Sequence, residues 1–130
     1  MIYVDTCLVI YAIEDNGTLG QRSRALFQNP DLAFAISPLV IMEALVAPLQ
    51  TGNLQTMDAY QHLFSKWNVI DLDIDSYVRA AELRAASPGL KTIDALHLAA
   101  AQLAGCSALW TNDKRLAAAS VGLAVDVMHD

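Results

Sequence analysis

The sequence has 130 residues, of which 55% are hydrophobic and 17% are charged. This length leaves no room for a second domain of ordinary size, and this composition excludes a disordered, highly charged tail. The formal net charge of −6 at pH 7 means that overall charge does not draw the chain to a polyanion, whether nucleic acid or anionic membrane.

The cysteines and the apolar segments indicate the compartment. Cys7 and Cys106 are too few for a disulfide framework and are not part of a CxxC pair. Asp5 interrupts the start before a signal-like apolar segment can form, and no apolar run is long enough to span a bilayer. We therefore expect one cytoplasmic domain over residues 1–130 that does not enter a membrane.

Short apolar runs rich in β-branched and aromatic residues alternate with longer runs that have helical spacing. The short runs predict five strands, at residues 2–4, 32–36, 67–72, 108–110 and 123–127. The longer runs predict helices at residues 7–13, 18–28, 38–46, 53–65, 76–86, 92–103 and 113–119.

Capping residues suggest where several of these helices begin and end. Ser37 at the N-cap and Pro38 at the first helical position predict the start of the third helix, and Pro48 lies just beyond its expected end. Thr18 is expected to cap the second helix and Asp75 the fifth. Asp75 also belongs to an alternating set of acids, which we expect on a solvated strand edge: Asp71, Asp73 and Asp75.

Strands that alternate with helices predict an α/β fold made of βαβ units. Its parallel sheet would carry helices on both faces, as a three-layer α/β/α sandwich. Because crossovers between parallel strands are right-handed, few topologies remain.

Four acids stand out because they interrupt or end apolar sequence. Glu43 lies within the apolar run 38–46, and Asp94 lies near the start of the apolar helix 92–103. Asp5 ends the first strand, and Asp113 follows the fourth. An unpaired carboxylate in such surroundings is costly or shifts its pKa. The four therefore require a common explanation.

Topology offers that explanation, because all four acids fall at the carboxyl ends of strands or in the first two turns of helices that begin there. Ligands of open α/β sheets bind at this edge, where the strand order reverses. If the first and fourth strands are neighbours, which is an assumption here, the four acids converge.

Several carboxylates in one crevice repel one another and need a counter-charge. Oxygen ligands of this kind suit the hard cations Mg²⁺ and Mn²⁺. One or two such ions would activate a water, stabilise displacement at phosphorus and allow a phosphodiester to enter. The acids thus predict a metal-dependent phosphodiesterase site.

Together these segments resemble the PIN-domain family, in particular its small VapC-type ribonuclease toxins, over essentially the whole chain. The resemblance implies a five-stranded parallel sheet of order 3-2-1-4-5 and Mg²⁺- or Mn²⁺-dependent endonucleolytic cleavage of RNA. It further implies the toxin of a type II toxin–antitoxin pair, with a cognate antitoxin and a homodimer. It rests on these segments, in this order: Val4-Asp5-Thr6, Glu43 on its apolar helix, residues 93–101, and residues 109–113.

By position, the resemblance also implies roles for single residues. Asp5 and Asp94 would be the most direct metal ligands, and Glu43 and Asp113 would complete the site or act through water. Residues that would support these acids are Thr6, Thr111 and Asn112. Apart from the resemblance, three basic residues next to Asp94 and Asp113 would form the rim of the acidic crevice and are candidates for RNA phosphate contacts, with ordinary surface charge as the simpler interpretation: Lys91, Lys114 and Arg115. Cys7 departs from the family, in which Asn or Ser is more usual at this place.

Simpler interpretations exist for each acid taken alone. Asp5 and Asp113 could only cap helices, Glu43 could face solvent, and Asp94 could only complement a helix dipole. His97, one turn after Asp94, could be a metal ligand or a general base, but a packing or hydrogen-bonding role is more typical.

Two other functions remain open at this point. A receiver-like signalling domain has a similar length and an acidic edge, but it needs a phosphoacceptor Asp after the third strand and a Lys after the fifth. The third strand leads only into Asp71, Asp73 and Asp75, and no Lys follows the fifth. A catalytically silent PIN-like binding module is the other alternative, against which the complete set of four acids argues.

Overall fold

The computed structural model describes residues 1–128, so the last two residues of the predicted domain lie outside the described part. The strands are β1 (Ile2–Val4), β2 (Phe34–Ile36), β3 (Asn68–Val69), β4 (Ala108–Thr111) and β5 (Ala124–Asp126). The helices are α1 (Thr6–Glu14), α2 (Thr18–Phe27), α3 (Pro38–Thr51), α4 (Leu54–Phe64), α5 (Ile74–Ala86), α6 (Thr92–Leu103) and α7 (Lys114–Ala119).

The five strands form one parallel sheet of order β3-β2-β1-β4-β5, which confirms the predicted fold class and strand order. Since β1 to β3 and β4 to β5 progress in opposite directions, right-handed crossovers place α1–α4 on one face and α5–α7 on the other. The helices pack accordingly, because α1 contacts α2, α3 and α4, whereas α5 contacts α6.

The centre of the sheet is β1, which pairs with β2 on one side and with β4 on the other. Tyr3 is in register with Ala35 and Leu109, and all three are fully buried. A strand covered on both faces explains why Ile2, Tyr3 and Val4 read as a continuous apolar run. Asp5 therefore directly follows a strand that lies in the core of the molecule.

Helix α6 is the most deeply buried helix, and its bounds are those predicted. Every residue from 95 to 101 is buried. Four of these seven are alanines, whose small side chains let the helix lie close to its neighbours. Within residues 1–128, neither this helix nor any other is long and apolar enough to cross a membrane.

Helix α3 does not end at residue 46 as predicted, because it continues through Pro48 to Thr51. A proline removes one helical hydrogen bond, but Pro48 is buried and lies within one turn of the end. The Pro48 carbonyl accepts from Gly52 N–H, and Gly52 ends the helix in the left-handed conformation, at φ 66°.

Two predicted caps are wrong, one by a single residue and the other by two, since Gly17 and Asp73 are the N-caps. Thr18 is the first residue of α2 rather than its cap, and Asp15 Oδ2 accepts from Gly20 N–H at 2.7 Å instead. Asp73, not Asp75, caps α5 and accepts from Ser76 N–H at 3.1 Å. The acids at 71, 73 and 75 are therefore not on a strand edge.

The outer strands are shorter than predicted. β3 covers only residues 68–69 instead of 67–72, because it pairs only with β2, itself reduced to 34–36 from the predicted 32–36. β5 covers 124–126 instead of 123–127, and β4 gains Thr111. Hydrophobicity marks the strands, but the partner strand limits their length.

Candidate active site

The four acids selected from the sequence lie at the positions that topology predicts. Asp5 directly follows β1 and caps α1, and Asp113 follows β4 and caps α7. Glu43 lies in the second turn of α3 and Asp94 in the first turn of α6. β1 and β4 are neighbours, with Val4 in register with Trp110. All four residues therefore lie towards the carboxyl edge of the sheet.

Asp5 is the most buried of the four, with 8% of its surface exposed. Its Oδ1 accepts from Thr6 N–H at 2.8 Å, and its Oδ2 accepts from the Thr111 hydroxyl at 2.7 Å. The Thr111 hydroxyl oxygen in turn accepts from Asp113 N–H at 2.9 Å. A single threonine at the end of β4 thus links the Asp5 carboxylate to the backbone of Asp113.

Glu43 is half-buried and does not face solvent as its simpler interpretation proposed. Its Oε1 accepts from the Thr6 hydroxyl at 2.7 Å and lies 2.7 Å from His97 Nε2. Burial alone would raise the pKa of Glu43, but the hydrogen bonds from His97 and Thr6 outweigh it, so the pKa lies below its usual value. Glu43 is therefore an ionised carboxylate whose orientation is fixed by hydrogen bonds to Thr6 and His97.

Asp94 is affected by burial first and by neighbouring charges second. Burial raises its pKa, and the carboxylates of Asp5 and Asp113 raise it further, whereas His97 and Lys91 act in the opposite direction. Three acids from three elements are thus close enough to influence one another electrostatically. This influence links three of the four acids, and His97 Nε2 links the fourth, because it lies 2.7 Å from Glu43 Oε1 and 3.8 Å from Asp5 Oδ1.

The simpler interpretations of the acids are partly right. Asp5 and Asp113 do cap helices, and Asp113 Oδ1 accepts from Arg115 N–H at 2.8 Å.

Two neighbouring residues do not contact the acids as supporting groups would. Asn112, predicted to support the acids, does not reach one, because its amide donates to the Tyr11 hydroxyl at 2.6 Å. The thiol of Cys7 has a pKa raised to about 12, by burial and then by Asp5.

Three residues of the site were not selected from the sequence as a group. Tyr3, Ser37 and His97 are buried and bonded to one another between β1, the start of α3 and α6. His97 does form hydrogen bonds, as its simpler interpretation predicted, and Ser37 is the N-cap but uses its hydroxyl on Tyr3. A tyrosine within a fully apolar strand is the signal that could have revealed them, because its hydroxyl needs a buried partner.

The donor atoms of the four acids suit a divalent cation, although these side chains are not arranged as a preformed coordination site. No group of three His, Cys, Asp or Glu side chains within residues 1–128 is arranged as a metal site. The acids offer only oxygen donors, as hard cations require, and repulsion at Asp94 is what a cation would relieve. The residues present therefore fit such an ion.

The basic residues selected from the sequence border these acids. Lys91 precedes α6 and is near enough to lower the pKa of Asp94, and Lys114 and Arg115 are exposed in the first turn of α7. Arg115 also lines a cleft of about 310 Å³ beside the loop that precedes α6. The rim thus carries positive charge beside the acidic centre, in a chain that is acidic as a whole.

Comparison with known proteins gives one family and several related folds. The model of the family described as PIN domain matches residues 2–122. No curated protein sequence is significantly similar to this chain.

Three solved structures are similar over nearly all of both chains. A toxin-antitoxin complex from Klebsiella pneumoniae has 24% identity and a TM-score of 0.80, with 97% of each chain covered. VapBC from Salmonella typhimurium bound to DNA has 20% identity and a TM-score of 0.78, with 96% of each chain covered. VapC20 of Mycobacterium tuberculosis, described as a sarcin-ricin loop cleaving toxin, has 16% identity and a TM-score of 0.77, covering 92% of this chain and 95% of its own. At these identities the likeness establishes a common fold.

Proposed function

The chain belongs to the PIN-domain family, and we propose that it is a metal-dependent endoribonuclease, the toxin of a type II toxin–antitoxin pair. The observation that carries this proposal is that Asp5, Glu43, Asp94 and Asp113 all lie towards the carboxyl edge of the sheet, where the Thr111 hydroxyl links the Asp5 carboxylate to the Asp113 backbone. The similar folds support it, because one is described as a sarcin-ricin loop cleaving toxin, one as a toxin-antitoxin complex and one as DNA-bound VapBC.

In this proposal Asp5 and Asp94 hold a divalent cation directly, while Glu43 and Asp113 complete the site or act through water. Mg²⁺ or Mn²⁺ bound there supplies Lewis acidity towards phosphate oxygens and water. Asp5 is suited to be a metal ligand of fixed orientation, because Thr6 N–H and the Thr111 hydroxyl each donate a hydrogen bond to one of its two carboxylate oxygens. We expect the ion to relieve the repulsion that raises the pKa of Asp94.

In this proposal the substrate is RNA, and the protein contacts its phosphates on either side of the scissile bond. Support comes from the exposed cations beside the acids, since the acidic chain as a whole would otherwise repel a polyanion. Residues proposed for these contacts are Lys91, Lys114 and Arg115.

Exposed apolar residues support the proposed protein partners, an antitoxin and a second copy of this chain. Met42, Val46 and Leu49 share one face of α3, and their exposed fractions are 52%, 49% and 62%. An apolar stripe of this kind on a small protein typically becomes covered by a partner. We propose that the protein acts in the cytoplasm, where RNA and an antitoxin made beside it are available.

The proposal is tested by incubating the protein with total RNA in Mg²⁺ or Mn²⁺ and resolving the fragments on a denaturing gel. Asp5→Asn and Asp94→Asn should each abolish cleavage, because each removes a charged oxygen ligand. Asp73→Asn is the matched control, since Asn also caps helices well and residue 73 is outside the site. We expect it to cleave like the wild type.

Two outcomes would contradict the proposal. Full activity in both site variants would exclude the site, and a protein that binds its partner without cleaving RNA would be a silent binding module. The receiver-like alternative is not supported, because that fold has the strand order 2-1-3-4-5, whereas the order here is 3-2-1-4-5.

A further inference from the structure

A continuous chain of buried hydrogen bonds leads from the core to Glu43. The Ser37 and Tyr3 hydroxyls are 2.7 Å apart, and the Tyr3 hydroxyl lies 2.6 Å from His97 Nδ1. His97 Nε2 then lies 2.7 Å from Glu43 Oε1. Ser37 and Tyr3 are fully buried and His97 is 1% exposed, so water does not compete for these bonds.

When His97 is neutral, the chemistry of these groups fixes the direction of the chain. The Glu43 carboxylate can only accept, so His97 Nε2 must carry the proton in the bond between them. In the neutral imidazole Nδ1 is then an acceptor, and it takes the Tyr3 proton. The Tyr3 oxygen accepts from Ser37 in turn. Tyr3 therefore selects the tautomer of His97 that donates to Glu43.

The consequence for Glu43 is that its two oxygens are unequal. Both His97 Nε2 and the Thr6 hydroxyl act on Oε1. Within residues 1–128 no hydrogen bond engages Oε2, which leaves it available. The same His97 Nε2 lies 3.8 Å from Asp5 Oδ1, so one imidazole is placed between two of the four acids.

We infer that His97 is a positioning residue of the nuclease site, which orients Glu43 through Nε2 while Tyr3 and Ser37 hold its tautomer. This inference rests on the proposed function. It differs from a purely structural role, in which the imidazole would serve only to satisfy the buried Tyr3 hydroxyl.

The two roles use different nitrogens, so two amide variants separate them. In His97→Gln the amide nitrogen is as many bonds from Cβ as Nε2 and can reach Glu43. In His97→Asn the amide is as near to Cβ as Nδ1 and can reach only Tyr3. His97→Leu removes both hydrogen-bonding nitrogens. For removal of such an outer partner we expect kcat to fall about 10–100-fold with little change in KM.

The inference predicts that His97→Gln recovers most of kcat and that His97→Asn stays as low as His97→Leu. A triple variant, Ser37→Ala and Tyr3→Phe with His97→Leu, removes the buried polar chain together and should unfold at a higher urea concentration than His97→Leu alone. We expect its kcat to stay low even though its stability recovers. Nitrogen-15 NMR of the wild type should show that His97 Nε2 is protonated and that His97 Nδ1 is not.

Several results would overturn the inference. They are wild-type kcat in His97→Leu, rescue by Asn rather than Gln, recovery of kcat together with stability in the triple variant, or an imidazole that is doubly protonated or in the opposite tautomer. The same gel assay keeps the two proposals apart. A wild type that cleaves RNA while His97→Leu is equally active overturns only this inference, whereas a wild type that never cleaves overturns the proposed function.

Discussion

At the level of single residues, Asp5 and Asp113 combine two roles that are usually treated as alternatives. Each caps a helix, and each raises the pKa of Asp94. A helix that begins directly after a parallel strand places its cap at the ligand-binding edge, so one carboxylate can serve both purposes. The caps and the spacing could be predicted from sequence. The bonds of Glu43 could not, because they join residues 37 and 54 positions apart.

The first prediction concerns stability, and it uses Asp94. Its pKa is raised in the folded protein, so the ionised form opposes folding despite its place at a helix N-terminus. Asp94→Asn should therefore stabilise the protein at neutral pH, by about 0.5–2 kcal/mol, while abolishing cleavage.

Urea unfolding at two pH values measures this effect. The gain should be present near neutral pH and should vanish below about pH 3, where the carboxyl is protonated in both the folded and the unfolded chain. A variant less stable than the wild type at neutral pH would show that repulsion among the acids does not strain the site.

At the level of elements, the periodicity of the sequence located every helix but not every end. α6 has the predicted bounds because its alanine-rich run stops at a glycine, whereas α3 passes through Pro48. The caps at Gly17 and Asp73 also differ from those predicted. Several polar residues near a helix start can supply the same hydrogen bond, and tertiary packing decides among them.

The second prediction concerns the junction between α1 and α2. A Cβ on Gly20 would lie 1.9 Å from the Asp15 carbonyl oxygen and 2.8 Å from that of Tyr11. Gly20→Ala should therefore force the backbones apart and lower the free energy of unfolding by about 1–3 kcal/mol.

Gly89→Ala is the matched control, because a Cβ there meets nothing within 4 Å. Its stability should stay within about 0.5 kcal/mol of the wild type. Equal stability of the two variants in urea would mean that the helices are not packed as closely as described.

At the level of the whole molecule, sheet order determines whether the acids meet. The order 3-2-1-4-5 makes β1 and β4 neighbours on either side of the reversal. The alternation of elements predicted an α/β fold, but local sequence does not encode which strands pair. The strand order follows from the family resemblance rather than from any local pattern. The placement of side chains within the site depends on contacts between distant segments, which the sequence does not specify.

The third prediction concerns charge. RNA binding by Lys91, Lys114 and Arg115 should release counterions, so replacing all three with Gln should weaken binding and flatten its dependence on salt. We expect the logarithmic slope to fall by roughly 0.7 for each contact with single-stranded RNA.

Lys66→Gln is the control, because Lys66 precedes β3 and lies towards the opposite edge of the sheet. Fluorescence anisotropy with labelled RNA, measured between low and moderate salt, gives both slopes. Identical slopes for the triple variant and the wild type would place the RNA elsewhere.

The most direct measurement is anomalous diffraction from crystals of the wild-type protein soaked in Mn²⁺. The account predicts an anomalous peak bound by the carboxylates of Asp5 and Asp94, absent from Asp5→Asn crystals soaked in the same way. A fully soaked wild-type crystal with no peak among the four acids, or with its only peak elsewhere, would contradict it.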